Sequence, residues 1–237
     1  YVPVGENRGP AGGWAAAVQA AQQLVDERGD WVLVVDDDDP LESPGLLALH
    51  LGAAEHQRVE VAAVGLRGAR LNRRRARLQR VITPEGTSEQ VDYLASGGAP
   101  IYRWDVIDQM GFFRPDLFFG FEDLDYGLRL KAAGYQLLVT PRPSLQEVSD
   151  TSSSRSPWRE YYKTRAFVWI LKHHVGHLPI IASVVRSVLG GFRLAIQQRS
   201  HQLLKARVVG ALDGYRGLLG SRRYRPSDNP PKQGASR

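Results

Sequence analysis

At 237 residues the chain can bury one sizeable core without needing a second compact domain. It has no cysteine, which excludes disulfides and thiolate metal sites. The net charge of +6 conceals a split: residues 1–154 carry 15 Lys/Arg against 22 Asp/Glu, a balance of −7, and residues 155–237 carry 16 against 3, a balance of +13. An acidic body (residues 1–150) followed by a basic helical extension (151–225) and a disordered polar tail (226–237) is expected, with the change falling in the polar run Thr151-Ser152-Ser153-Ser154. No secretory signal pattern is visible, and a start at Tyr1 reads as a fragment or a processed piece.

In chain order, a helix is expected over about residues 10–27, following Asn7-x-Gly9 and running through Ala11-Gly12-Gly13. Residues 31–35, Trp-Val-Leu-Val-Val, read as a buried strand that ends abruptly in Asp36-Asp37-Asp38-Asp39-Pro40. Ligands of open α/β sheets bind at the carboxyl ends of strands. A carboxylate cluster there suits a hard divalent cation and the phosphates it holds; a solvated acidic turn is the plainer account. Ser43-Pro44 opens a helix to about residue 55, and residues 59–64 form another strand. Residues 66–90, which include Arg73-Arg74-Arg75, are expected to be irregular, a solvated loop more than a phosphate-binding run. Short strands follow at 91–95 and 99–102, then a helix at 104–110 stopped by Gly111, and a strand at 136–139. This alternation predicts an α/β architecture with a largely parallel sheet flanked by helices.

A second acidic cluster, Glu122-Asp123-Leu124-Asp125, opens a helix that Gly134 ends. Ordinary capping accounts for acidic residues in a first turn. It does not account for their flanking by Phe118, Phe119 and Phe121. Aromatic surface desolvates a carboxylate, raises its proton affinity and suits it to general base work.

The extension starts with Pro157, well placed at a helix start, and carries Tyr161-Tyr162-x-x-Arg165. Residues 178–196 are an apolar run interrupted by Arg186 and Arg193, which share a helix face. Two central arginines argue against a spanning helix and favour an amphipathic one. Its apolar surface is Ile181, Val184, Val185, Val188 and Phe192, with membrane contact and packing on the protein itself or a sister subunit equally open. Nucleic acid is not expected, since no recognition helix or aromatic single-strand platform is present. His173, His174 and His177 suggest a metal cluster, but their position near a helix C-terminus explains them better.

Taken in order, Asn7-x-Gly9-x-Ala11-Gly12-Gly13, Asp36-Asp37-Asp38-Asp39, Ser96-Gly97-Gly98-Ala99 and Phe121-Glu122-Asp123-Leu124-Asp125-Tyr126 closely resemble the family 2 glycosyltransferases of the GT-A fold, in particular the bacterial rhamnosyl- and galactofuranosyltransferases. The resemblance covers roughly residues 4–171 and implies that the first strands, which cradle the nucleotide base, precede this chain. It implies a GT-A-type (Rossmann-like) domain that moves a hexosyl group, with inversion, from a UDP or dTDP sugar to a cell-envelope glycan or lipid-linked acceptor. The setting it implies is peripheral, at the cytoplasmic face of the cell membrane.

The resemblance also assigns residues. Asp123 is the base and Glu122 contacts the acceptor or orients the base, while Asp125 is expected to hold the helix start or an arginine. Asn7, Gly9, Gly12, Gly13, Asp36, Asp37, Gly97 and Gly98 belong to the donor site. Asp38 is a ligand of a divalent cation, Mn or Mg. Many family members place a metal-binding histidine beyond the catalytic helix; residues 141–148 have none, and either Glu147 as an oxygen ligand or a water is expected in its place. The competing function is a non-catalytic nucleotide-sugar-binding or membrane-docking module.

Overall fold

The computed structural model describes residues 5–24, 30–35, 47, 51–53, 60–84, 87–140, 156–198, 201–221 and 223–224. The four aspartates at 36–39 and Glu147 lie outside them, as does most of the helix expected after Ser43, of which residue 47 and residues 51–53 are helical.

The alanine-rich segment Gly9–Leu24 forms helix α1, a composition that loses little side-chain entropy on coiling. Strand β1 is Trp31–Leu33 and β2 is Val61–Gly65, whose five residues are all buried, as befits a strand covered on both faces. Strands β5 (Glu89–Val91), β7 (Ile101–Arg103) and β8 (Gln136–Val139) complete a five-stranded sheet in the order β1-β7-β2-β8-β5. Among the described residues of this sheet only β2 and β8 pair in parallel; β7 runs antiparallel to both β1 and β2, and β5 antiparallel to β8. The expectation of a largely parallel sheet is therefore corrected to a mixed one. Strand–helix alternation does not report the direction of three-residue strands such as β5 and β7.

The Arg-rich segment is a second correction. Strands β3 (Gly68–Asn72) and β4 (Arg77–Arg80) form a hairpin, joined on its other edge by β6 (Tyr93–Leu94). Ala69 and Leu71 point inward while Arg70 is exposed, the period of a half-buried strand. The Asn72 side chain accepts the Arg75 N–H at 2.9 Å and shapes the turn.

Three helices position the candidate site. Helix α2 (Trp104–Met110) follows β7 directly. Helix α3 (Glu122–Ala132) buries Tyr126 and Leu130 against the sheet with Val18, Ala63, Tyr102, Phe112 and Phe113. Its other side, Leu124 and Leu128, packs into a second core with Ala166, Trp169 and Ile170 of helix α4 (Pro157–His174). Helices α5 (His177–Gln198) and α6 (His201–Arg216) complete the tail. Helix α6 lies very close to α4: a Cβ on Gly210 would stand 2.5 Å from the Tyr161 carbonyl oxygen, and one on Gly214 would stand 2.3 Å from that of Arg165. The tail thus shares a core with the sheet's own helix.

Within α5, Val184 and Val188 are half-buried, whereas Ile181, Val185, Leu189 and Phe192 form the exposed apolar stripe. Arg186 does not belong to that stripe. Its guanidinium donates to the carbonyls of Ala76 (2.8 Å) and Arg75 (2.5 Å), tying α5 to the β3–β4 turn. Among the described residues no helix is long and apolar enough to cross a membrane.

Candidate active site

Strain marks the approach to α3. The Phe119 N–H donates to the Leu117 carbonyl at 2.8 Å across Phe118, whose φ of 67° and ψ of −59° make this a γ-turn of the rare, strained hand. Two residues later Phe121 caps α3 in the left-handed region, φ 67° and ψ 13°. Such backbone costs on the order of 1–3 kcal/mol per residue and persists only where surrounding contacts hold it.

Those contacts come from α4 and α1. Phe118 packs on Tyr162 with ring centroids 4.4 Å apart, Phe119 on Trp158 at 4.8 Å, and Phe121 on Phe167 at 5.1 Å. Arg165, wholly buried, donates to the Leu117 carbonyl at 2.9 Å and to the Gly220 carbonyl at 2.5 Å. Its guanidinium lies over the Tyr162 ring at 4.6 Å. Tyr161 donates to Asp213 at 2.7 Å, so the Tyr-Tyr-x-x-Arg pattern is a staple between the strained loop and the tail. From the other side, Gly9 abuts the loop: a Cβ there would stand 2.0 Å from the Phe118 carbonyl oxygen, and φ is +68°. The Asn7 side chain accepts the Gly9 N–H at 2.9 Å and sets this approach. Packing alone therefore requires glycine at position 9. Gly12 lies over the Arg8 stem, and Gly13 faces open space.

Asp123, part-buried, projects from this first turn. Burial pushes its carboxyl well above the ordinary carboxylate range, and the neighbouring Glu122 charge adds to the rise. Hydrogen bonds from the backbone N–H groups of Leu124, Asp123 and Ser96 oppose it. The Leu124 bond measures 2.8 Å. Ser96 opens the 3-10 turn Ser96–Gly98, so the glycine motif and the acidic helix start meet at this carboxylate, Ser96 and Asp123 standing 27 residues apart in sequence. A Cβ on Gly98 would press within 2.9 Å of the Arg67 backbone nitrogen, and Ala99 just beyond is left-handed at φ 43°. Glu122 is buried beside Asp123.

Tyr102, absent from the expected site, is buried and close enough to the pair to feel its charge. Burial raises its phenol well above the usual value, and the charges of Asp123, Tyr126 and Glu122 raise it further. Its signal was its place at the end of the Ser96 motif.

Asp125 has another task. It is 1% exposed and bridges Arg129 (3.0 Å) and His174 (2.9 Å). Burial pushes its carboxyl up, but the His174 hydrogen bond and Arg129 outweigh that and hold it below the ordinary range. The expectation of an arginine partner is met; His174, expected only to sit at a helix end, is the second. His173 instead stacks on Trp169, with ring centroids 4.0 Å apart.

No group of three His, Asp or Glu side chains among the described residues is arranged to hold a metal ion. The expected ligands Asp38 and Glu147 fall outside those residues, as do Asp36 and Asp37 of the donor site.

No protein-family model matches the chain. Over an alignment of 133 residues that covers 51% of its length, it is 31% identical to a protein of Shigella flexneri described as dTDP-rhamnosyl transferase RfbF. The chain is a distant, partial homologue of a glycosyltransferase. It spans 44% of that relative's length.

Proposed function

We propose that the chain carries the catalytic helix of an inverting glycosyltransferase of GT-A type, with Asp123 as general base. One observation carries the reading: a carboxylate raised above its ordinary range sits where a strained helix start meets a glycine turn, in a chain related to a rhamnosyltransferase. At neutral pH a raised carboxyl holds a proton more tightly than a free one and is a stronger base. The acceptor hydroxyl gives its proton to Asp123 as its oxygen bonds to the anomeric carbon of the donor. The bond from that carbon to the diphosphate oxygen breaks, and the nucleoside diphosphate leaves on the opposite face, inverting the centre. Glu122 keeps the local charge negative and orients the acceptor. The Gly97-Gly98 turn brings backbone, without side chains, to the transferred sugar.

The donor class favoured is a dTDP or UDP sugar, rhamnosyl or galactofuranosyl, and the acceptor a cell-envelope glycan or lipid-linked sugar. Asn7, Gly12 and Gly13 at the head of α1, with Asp36 and Asp37, complete the donor side. Asp38 and Glu147 offer the hard oxygen donors that Mn or Mg prefers, and the ion would supply charge neutralisation of the leaving diphosphate. The exposed stripe Ile181, Val185, Leu189 and Phe192 favours peripheral contact with the inner face of the cell membrane.

The test is release of dTDP from dTDP-rhamnose, and of UDP from UDP-galactofuranose, with Mn present and with a short rhamnose-terminated oligosaccharide as acceptor. Asp123→Asn is expected to lower turnover at least a thousandfold while dTDP or UDP binding is retained. Turnover undiminished in that variant would refute the assignment.

A further inference from the structure

The residues that follow α6 turn back onto the loop ahead of α3. Gly217, at φ +73°, ends the helix: its N–H donates to the Gly214 carbonyl (3.1 Å) and the Leu218 N–H to that of Asp213 (2.8 Å), the paired bonds of a Schellman stop. Leu219 then packs against the core that holds Leu117, Leu124 and Trp169. Gly220 reaches the 3-10 turn Pro115–Leu117. Its N–H donates to the Asp116 carbonyl at 2.7 Å, and its own carbonyl accepts from Arg165 at 2.5 Å. The other arm of that guanidinium donates to the Leu117 carbonyl, the acceptor that closes the γ-turn at Phe118. One glycine and one arginine thus hold two consecutive carbonyls of the turn. Beyond Gly220, Arg223 pairs with the buried Asp213 at 3.1 Å, and Tyr224 packs on Tyr161 with ring centroids 5.2 Å apart. The segment is therefore anchored on both sides of Gly220. Gly220 itself stands at φ +81° with open space where a Cβ would be, so position 220 demands a backbone conformation and not room.

We propose that this strap, Gly217 to Gly220 with Arg223 and Tyr224 behind it, positions Asp123, and that Gly220 is its positioning residue. The γ-turn at Phe118 and the left-handed Phe121 run without a break into the first turn of α3. A shift of the Asp116 and Leu117 carbonyls is therefore passed along the loop to the carboxylate. A misplacement of about 1 Å, made far from the reacting atoms, costs a reaction about a hundredfold in rate. The effect on turnover rests on the glycosyltransferase reading; the hold on the turn does not.

The test compares the full chain with Gly220→Val and Leu219→Ala. Valine is poorly accommodated at positive φ, and alanine removes the strap's anchor in the core. In both variants turnover in the dTDP- and UDP-release assay is expected to fall at least about tenfold, with acceptor KM and nucleotide affinity within about twofold of the parent. Amide hydrogen exchange supplies a readout independent of activity. The Phe119 N–H, which closes the γ-turn, should exchange at least about tenfold faster, while the Leu128 and Leu130 amides within α3 keep the parent rate. Gly220→Asn places a residue that tolerates positive φ and should fall between the parent and the valine variant in both readouts. An unchanged Phe119 exchange rate in Gly220→Val and Leu219→Ala overturns the proposal, whatever becomes of the base. So does faster exchange with turnover intact while Asp123→Asn abolishes transfer. A loss of turnover that nucleotide affinity and thermal stability follow in step also overturns it, since the strap is then a general support. If Asp123→Asn leaves transfer unaffected, the assignment of the base falls, and faster Phe119 exchange still upholds the strap's hold on the turn.

Discussion

Replacing Asp123 with asparagine should remove catalysis and yet stabilise the fold. Burial and the Glu122 charge hold the Asp123 carboxyl above its ordinary range in the folded chain. A group whose folded pKa exceeds its unfolded value binds its proton more tightly when folded. Stability therefore falls as pH rises from the unfolded value, about 4, through the folded one. Each unit of that displacement costs about 1.4 kcal/mol above the window. Asparagine carries no charge and escapes the cost. It keeps one carbonyl oxygen for the three backbone amides that now reach the carboxylate, and turning its own N–H₂ toward one of them sacrifices about 1 kcal/mol. With the carboxyl raised well above its ordinary range, the first effect exceeds the second. A gain of about 1 kcal/mol or more is expected at pH 8, shrinking to zero or reversing at pH 4, where the native carboxyl is itself protonated. Urea denaturation of both proteins at pH 4, 6 and 8 measures it. An asparagine variant less stable at pH 8, or a difference independent of pH, would show that the carboxyl is not raised and would remove the physical basis for calling it the base.

Asp125→Asn should instead cost about 3 kcal/mol at pH 7, because it strands Arg129 and His174 against a 1% exposed side chain. Since this carboxyl is held below its ordinary range, the difference in denaturant stability should persist down to about pH 4 and narrow only below it. Gly214→Ala drives a methyl group to 2.3 Å from the Arg165 carbonyl oxygen and should cost about 1–3 kcal/mol in thermal unfolding; an unchanged Tm would place α6 farther from α4. Arg165→Met leaves the Leu117 and Gly220 carbonyls without their donor, so a loss of about 3 kcal/mol is expected, with turnover reduced and nucleotide affinity unchanged. A chain ending at residue 150 should show no cooperative transition by circular dichroism, because Leu117, Leu124 and Leu128 lose Trp169 and Ile170; a folded monomer would make the tail a separable unit.

What the sequence made legible was local. Helices at 104–110 and from Glu122, and the strand at 136–139, appear where apolar runs and glycine stops placed them. The Ser96-Gly97-Gly98 turn and the Glu122-Asp123 helix start, singled out separately, are joined by the Ser96 N–H on the Asp123 carboxylate. The hairpin at 68–80 was hidden because its outward positions are arginines, and charge masked the inward alternation of Ala69, Leu71 and Leu78. The Asp125–His174 pair spans 49 residues, and no local pattern announces a partner at that distance. Gly210 and Gly214 carry no signal beyond their spacing of four, which is read as close helix contact only once α4 is known to lie opposite.

The tail therefore bears on Asp123 through the loop it holds. A γ-turn at Phe118 and a left-handed Phe121 are costly conformations, and an isolated sheet with α3 would have little reason to keep them. Helix α4 supplies the reason: three of its aromatic residues each face one phenylalanine of the loop, and Arg165 fixes the Leu117 carbonyl from which the turn begins. His174, at the other end of α4, grips Asp125 two residues beyond Asp123. Both ends of one helix thus fix the two sides of Asp123. A carboxylate held in a desolvated position loses stability for the protein, and so does the strained backbone that presents it. That cost is tolerable because α4 and α6 bury their own large apolar faces in the same core. On this view, weakening the α4–α6 packing would loosen Asp123 before it unfolded the sheet.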